Sequence, residues 1–193
     1  MRRMAVVLAA TAGLTVLAGT AQAYQIDPLT RQPIVETYSD SNKPAATAIP
    51  RETVRYDSRY APGTIVVSTT ERRMYYVLGD GKAIKYGIGV GRPGFEWGGT
   101  QTITAKREWP DWRPPSQMLK RRPDLPRYMP GGPENPLGAR AMYLGSSLYR
   151  IHGSNEPETI GQAVSSGCIR MLNEDVIDLY DRAKVGTRVV VQR

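Results

Sequence analysis

Two short stretches decide the fold and the chemistry of this chain: Ile151-His152-Gly153-Ser154-Asn155 and Ser165-Ser166-Gly167-Cys168-Ile169-Arg170-Met171. They contain the only histidine and the only cysteine of a chain of 193 residues, and His152 precedes Cys168 by 16 positions. A neutral imidazole can accept the proton of a thiol, and the resulting thiolate can attack a carbonyl carbon. The pair indicates a cysteine enzyme in which Cys168 is the nucleophile and His152 is its base.

The residue before the cysteine supports this interpretation. Gly167 has no Cβ, so the backbone can turn tightly there and point the amides around Cys168 at a developing oxyanion. A lone cysteine is either buried and inert or kept because it reacts, and the cysteine count by itself does not separate the two. The nearby histidine favours a reactive thiol.

Alternating and β-branched segments outside these stretches predict a mostly β domain. Segments of this kind occupy 64–68, 73–78, 82–86, 141–144, 148–151 and 187–191. Gly79-Asp80-Gly81 is typical of the turn of a β-hairpin between the second and third of them. One or two helices complete the predicted fold.

One of these helices follows the cysteine stretch. Asn173 is predicted to cap it, and Val176, Leu179, Tyr180 and Ala183 share one apolar face. Gly186 is predicted to end it.

Residues 109–136 do not have the chemistry of strands. They are rich in proline, glycine, arginine and aromatic residues, among them Trp112. A loop of this length inside a compact domain is usually functional, so we expect a lid or a substrate rim, with poor order as the alternative.

The N-terminus has the features of an export signal. Arg2 and Arg3 precede an apolar run over residues 4–17, and Ala21-Gln22-Ala23 matches the small-x-small pattern of a signal-peptidase site. We therefore predict a signal peptide over residues 1–23, a polar, proline-punctuated tail or tether over 24–60 and a catalytic domain over 61–193. An uncleaved membrane anchor is the alternative for the first segment.

Composition limits the partners. The formal charge is +8, or +6 once Arg2 and Arg3 leave with the signal, which suits an anionic partner. Export makes the polyanionic cell wall or a membrane surface a better partner than nucleic acid. A single cysteine excludes an internal disulfide, and one histidine with one cysteine is too few ligands for a protein-held zinc ion. No metal, no cofactor and no integral membrane span after signal cleavage are expected.

The motif of His152-Gly153 and Ser165 to Arg170 resembles the signature of the YkuD-type L,D-transpeptidases, and the similarity extends over about 61–192. The resemblance implies a β-sandwich-like catalytic domain acting on peptidoglycan stem peptides in the periplasm. Cys168 would attack the diaminopimelate–D-Ala carbonyl of a stem tetrapeptide, release D-Ala and pass the acyl group to an amine. That amine belongs to a second stem peptide or to an outer-membrane protein. The family orients its catalytic histidine through a backbone carbonyl rather than an acidic side chain.

This chain differs from the common family pattern at Ser166, where many members have a second histidine. A hydroxyl cannot carry the proton at neutral pH, so the base role stays with His152. Oxyanion stabilisation is expected from backbone amides of the site loop, with Gly153, Ser166 and Gly167 as candidates.

Weaker substrate-binding candidates are arginines and one tryptophan. Arg170 has two open roles, holding a substrate carboxylate or bracing the cysteine stretch. Arg140 and Trp112 are further candidates, and Glu156 and Glu158 are expected to be solvated.

Two alternatives stay open at this point. Water could resolve the same acyl-enzyme, which would make the protein an L,D-carboxypeptidase, or the protein could be a non-catalytic wall-binding module. Retention of His152, Cys168 and Gly167 favours an enzyme.

Overall fold

A computed structural model describes residues 49–193. The predicted signal peptide and residues 24–48 of the predicted tail lie outside the described residues. No helix within 49–193 combines the length and apolarity that crossing a bilayer requires.

The described part of the chain is mostly β with two α-helices, as predicted. Its strands are β1 Glu52–Arg55, β2 Ile65–Ser68, β3 Arg73–Gly79, β4 Lys82–Gly87, β5 Val90–Gly91, β6 Gly99–Glu108, β7 Arg140–Leu144, β8 Arg150–His152, β9 Ala163–Ser165, β10 Ile169–Arg170 and β11 Arg188–Gln192. Its helices are α1 Ser116–Arg121, α2 Asn173–Arg182 and a 3-10 turn at Pro157–Thr159.

Nine strands form one sheet in the order β1-β4-β3-β2-β11-β6-β7-β8-β10, and β5 pairs with β9 in a second sheet. The ten-residue strand β6 joins the two halves of the large sheet. Residues 99–102 of β6 pair with β11, and residues 103–108 pair with β7 after a register shift. One apolar cluster packs side chains of both halves against helix α2.

Each of the six predicted strand segments overlaps an observed strand, but the segment 148–151 does so only at its last two residues, because β8 begins at Arg150. Ile65, Val66 and Val67 of β2 are fully buried, as expected for a strand that pairs on both edges. Strand β6 was not predicted, because Gly99–Glu108 contains polar residues at most positions and shows no apolar alternation.

Strand β1 corrects the prediction for the tail, in which residues 24–60 were assigned no structure. Glu52–Arg55 pairs antiparallel with β4 at one edge of the large sheet. Three of its four residues are exposed, so the segment has little apolar pattern by which to recognise it. This part of the predicted tail therefore adds an edge strand to the sheet.

Helix α2 buries the predicted face, with Val176, Leu179 and Ala183 in the core. Asn173 does not cap it, which corrects the prediction. Asn173 is the first helical residue, and its side chain accepts a hydrogen bond from the Ala139 N–H (2.9 Å) and donates one to the Ser154 carbonyl (3.2 Å). The amide therefore ties the helix to the loop that follows His152.

Candidate active site

The pairing of β8 with β10 brings the predicted catalytic stretches together. The two strands are parallel, with Ile169 opposite Ile151 and Arg170 opposite His152. Side chains two residues apart on a strand share one face. Arg150 and His152 therefore lie beside Cys168 and Arg170, and extending the register by one residue places Cys168 opposite Arg150.

His152 is buried and held in one tautomer. Its Nδ1 lies 2.5 Å from the Gly153 carbonyl oxygen, which can only accept a hydrogen bond. Nδ1 therefore carries the proton, and Nε2 keeps the lone pair that a general base needs. Burial, with the charges of Arg170 and Arg150, lowers the pKa of His152 to about 3. The imidazole is neutral at physiological pH.

The Cys168 thiol is partly buried and its Sγ lies 3.8 Å from the Leu148 carbonyl oxygen. Burial raises the pKa of the Cys168 thiol, while Arg150 and Arg170 act in the opposite direction. The thiol is therefore protonated in the resting protein.

Ser165 shapes the Cys loop, defined here as residues 165–168. The Ser165 hydroxyl donates to the Cys168 carbonyl (2.6 Å) and accepts from the Gly167 N–H (3.1 Å). The Gly167 amide is thus already engaged and contributes to the site through its conformation. The Cys168 N–H donates to no acceptor among residues 49–193, so it is available to an oxyanion.

Gly167 has to be glycine for two reasons. Its φ is +103°, a region that L-residues rarely adopt. A Cβ there would also lie 2.5 Å from Cε1 of Tyr149. Tyr149 stacks on Trp97 with ring centroids 4.6 Å apart, and Trp97 donates from Nε1 to the Gly167 carbonyl (2.7 Å). The two aromatic rings hold the turn that presents Cys168.

A cavity of about 420 Å³ opens over the pair. One wall comes from the loop of residues 109–136, which includes helix α1 and a β-bridge between Trp112 and Met129. Residues lining the cavity are Phe95, Trp112, Pro115, Gln117, Met118, Arg121, Pro136, Leu137, Ser147, Leu148, Tyr149, Arg150, His152, Ser165, Ser166, Cys168 and Arg170. The loop of residues 109–136 therefore forms one wall of the cavity, the position expected of a substrate rim.

Of the other predicted site residues, some line the cavity and others lie outside it. Trp112 and Ser166 line the cavity with Cys168. Gly153 is not part of the lining and supports the site through the carbonyl that holds His152. Arg140 lies outside the lining, where it pairs with Glu108 (3.2 Å).

Arg170 lines the cavity and is also braced. Its Nη1 lies 2.6 Å from Oε2 of Glu156 and 3.3 Å from the Thr159 hydroxyl. Glu156 was expected to be solvated, and this expectation is wrong, because the carboxylate is partly buried against the guanidinium. The Nε of Arg170 is buried and unpartnered within the described residues.

Arg150 is a residue of the site that was not predicted from the sequence. Its side chain lines the cavity, donates to the Leu148 carbonyl (3.1 Å) and stacks over Tyr143 at 5.0 Å from the ring centre. Its position two residues before His152, on the same face of one strand, is the signal that identifies it. Within 49–193 no group of three metal-ligating side chains occurs.

Comparisons with known proteins agree with this geometry. A family model described as the YkuD L,D-transpeptidase catalytic domain matches residues 62–191. The probable L,D-transpeptidase ErfK/SrfK of Escherichia coli K12 is 41% identical over 136 residues, which are 66% of this chain and 43% of that protein. The chain therefore matches less than half the length of this relative.

Solved structures extend the comparison. A Brucella melitensis protein named as a probable carnitine operon oxidoreductase is 47% identical, with a TM-score of 0.50 over 74% of this chain and 93% of its own. An L,D-transpeptidase from Mycobacterium smegmatis shares the fold, with a TM-score of 0.55, 20% identity and coverage of 67% of this chain and 58% of its own. The match over residues 62–191 and the thiol and imidazole around one cavity lead to one assignment: this chain belongs to the YkuD family of L,D-transpeptidase catalytic domains.

Proposed function

We propose that this protein is an exported peptidoglycan L,D-transpeptidase in which Cys168 is the nucleophile and His152 the general base. The observation that carries the proposal is that both side chains line one cavity, with the imidazole held so that Nε2 can accept a proton. The oxidoreductase name belongs to the Brucella melitensis relative. A thiol beside a neutral imidazole is instead the pair that acyl transfer requires.

The first step is acylation by the donor stem tetrapeptide. The Cys168 sulfur forms a bond to the carbonyl carbon between diaminopimelate and D-Ala, and the thiol proton passes to Nε2 of His152. The C–N bond then breaks, and the imidazolium returns the proton to the leaving amine of D-Ala. The product is a thioester on Cys168.

The pair stays uncharged until substrate is bound. The low pKa of His152 and the raised pKa of Cys168 both disfavour the separated ion pair in the resting site. Proton transfer to His152 therefore takes place only once substrate is bound, and the thiolate that forms attacks at once, which moves the negative charge onto the carbonyl oxygen. A resting thiol is also less prone to oxidation than a thiolate, which suits a protein with one cysteine outside the cytoplasm.

The oxyanion is stabilised by the backbone of the Cys loop. The free N–H of Cys168 is one donor, and the cationic side chains of Arg150 and Arg170 add positive potential to the same cavity. Ser166 lines the cavity and contributes a hydroxyl at the position where many family members have a histidine.

The thioester is resolved by an amine that enters the same cavity. The nitrogen of the amine bonds to the thioester carbonyl carbon, the C–S bond breaks, and His152 takes the amine proton and returns it to the Cys168 sulfur. An amine of a second stem peptide gives a cross-link, and an amine of an outer-membrane protein attaches that protein to the wall. Water attacking in the same way trims the stem. The signal-peptide pattern of residues 1–23 supports a periplasmic location for this chemistry.

Incubation with a defined tetrapeptide muropeptide tests the proposal. We expect release of one D-Ala per turnover together with cross-linked dimers, detected by mass spectrometry. Tripeptide without dimers would instead identify a carboxypeptidase.

Cys168→Ala is the decisive variant. It should abolish D-Ala release and leave the melting temperature close to that of the wild type, since the thiol has no substitute in this chain. Retained D-Ala release by Cys168→Ala would overturn the proposal.

A further inference from the structure

We infer that Arg150 is a positioning residue of the proposed reaction, whose guanidinium stabilises the thiolate of Cys168 after the proton has left. Arg150 and Cys168 contact the same carbonyl oxygen. Arg150 donates from Nη1 to the Leu148 carbonyl at 3.1 Å, and the Cys168 sulfur lies 3.8 Å from the same oxygen. The thiol and the guanidinium therefore both contact the Leu148 carbonyl oxygen.

Strand register gives the same placement independently. Ile169 is the partner of Ile151, so continuing the parallel pairing by one residue sets Cys168 opposite Arg150. Alternation along β8 puts Arg150 on the face that carries His152. Base and cation thus lie side by side on one strand, facing the nucleophile from the next.

Deprotonation explains why a cation is needed there. The thiol can donate to the Leu148 oxygen, but the thiolate is an acceptor facing another acceptor, which is repulsive. A guanidinium that already contacts the oxygen supplies the opposite charge without moving. The Nε of Arg150 is buried and has no partner within the described residues, so the side chain has a donor to spare in this cavity.

The charged surroundings of the sulfur identify the contribution of Arg150. His152 on β8 is neutral, Arg170 on β10 is paired with a carboxylate, and Arg121 of α1 lines the cavity against Phe95. The backbone N–H and guanidinium of Arg150 both lower the pKa of Cys168, against the burial that raises it. Replacing the side chain keeps the backbone N–H and removes the guanidinium alone.

The test is the pH dependence of alkylation by iodoacetamide, which needs no substrate and reports on one thiol because the chain has a single cysteine. In Arg150→Met the apparent pKa of the thiol should rise by about one unit, and alkylation at pH 7 should slow about tenfold. Arg150→Lys should recover most of the shift, since it restores the charge.

Arg188→Gln is the matched control, because it removes an exposed arginine on β11 and should leave the profile unchanged. Arg150→Gln provides a second neutral variant if methionine impairs folding, which thermal unfolding will show. A profile of either folded neutral variant that superimposes on the wild type would overturn the inference.

The inference rests on the proposed function for the role of Cys168, and the two fail separately. Unchanged alkylation with an inactive Cys168→Ala variant would remove only the role of Arg150. A shifted alkylation profile with an active Cys168→Ala variant would remove only the proposed function.

Discussion

Two groups of polar side chains lie against the same hydrophobic core, and they differ in how far their hydrogen bonds are satisfied. Beside helix α2, Asp178 accepts from the Tyr86 hydroxyl (2.5 Å) and from two nitrogens of Arg182 (3.0 Å each). In the cavity, Arg150 and Arg170 each keep a buried Nε without a partner in the described part of the chain.

The protonation states of Asp178 and of the pair His152 and Cys168 differ in the same way. Hydrogen bonds from Arg182 and Tyr86 lower the pKa of Asp178, so that carboxylate is stabilised in its charged form. In the cavity, burial pushes the pKa of His152 down and that of Cys168 up, so both groups are held neutral.

This difference in hydrogen bonding indicates different roles for the two groups of side chains. A satisfied polar group stabilises the fold, whereas an unsatisfied one keeps hydrogen-bonding capacity for a ligand or a transition state. Substitutions at helix α2 should therefore change stability, and substitutions in the cavity should change activity.

The largest effect is expected for His152→Ala. Loss of the base should slow acylation by about a hundredfold to ten-thousandfold. The residual rate should rise with pH toward the pKa of the buried thiol, because only the thiolate can then attack. A pH profile of D-Ala release identical to that of the wild type would transfer the base role to another group.

Gly167→Ala should have the next largest effect on activity, because it strains the turn that presents Cys168. A positive φ costs an L-residue about 1–2 kcal/mol, and the methyl group would press on Tyr149, so activity should fall at least about tenfold. Gly186→Ala is the control: φ is +93° there, but nothing lies within 4 Å of the added Cβ. It should lose stability and keep activity, and equal activity loss in both variants would contradict the contact with Tyr149.

Asp175→Asn tests the region beside helix α2 through pH. Burial raises the pKa of Asp175 to about 6 from 3.8, despite the charge of Arg51 3.6 Å away. The protonated carboxyl is favoured in the fold, so the stability it contributes is present below pH 3.8 and is lost as pH rises through 6. Relative to wild type, Asp175→Asn should gain about 1–3 kcal/mol between pH 4 and pH 7, measured by urea unfolding.

Asp178→Asn is the matched control, because its effect on the free energy of unfolding should have the opposite sign at pH 7. Its pKa is lowered, so its carboxylate stabilises the fold above the ordinary pKa and that contribution disappears in acid. The variant should be less stable than wild type at pH 7 and approach it at low pH. Parallel pH dependences of the two variants would contradict this account.

Tyr86→Phe should cost about 1–2 kcal/mol of unfolding free energy, because a buried hydrogen bond to Asp178 is lost. Tyr75→Phe removes a comparable bond to Glu71 (2.8 Å) at the surface and should cost much less. Both variants should retain wild-type turnover of tetrapeptide. Slower turnover by Tyr86→Phe would contradict the expectation that substitutions beside helix α2 change stability and leave activity unchanged.

The smallest effect on activity within the cavity is expected for Ser166→Ala. The hydroxyl lines the cavity but makes no hydrogen bond within residues 49–193, so its loss should slow acylation by no more than about tenfold. Inactivity equal to that of Cys168→Ala would give Ser166 the proton transfer assigned to His152.

Much of this architecture follows from the sequence. The apolar strands and the buried face of helix α2 have strong periodicity, and the motif around Cys168 indicates the family. Strands β1 and β6 have weak patterns, because their pairing partners rather than their own apolar residues fix them.

The details of the site depend on contacts that sequence spacing does not encode. Asn173 resembles a helix cap but bridges two loops, and Glu156 resembles a solvated surface residue but pairs with Arg170. The spacing of Arg150 and His152 puts them on one strand face, but the pairing of β8 with β10 is what brings Arg150 close to Cys168. Local pattern predicts elements, whereas their register decides which polar groups meet.

The most direct test of the central claim is the intact mass of the wild-type protein quenched in acid during turnover of a tetrapeptide. We expect a transient adduct equal in mass to the substrate minus D-Ala. It should be located on the peptide that contains Cys168, be sensitive to hydroxylamine and be absent from Cys168→Ala. D-Ala release with no adduct on Cys168 at any time, or an adduct on another residue, would contradict the assignment of Cys168 as the nucleophile.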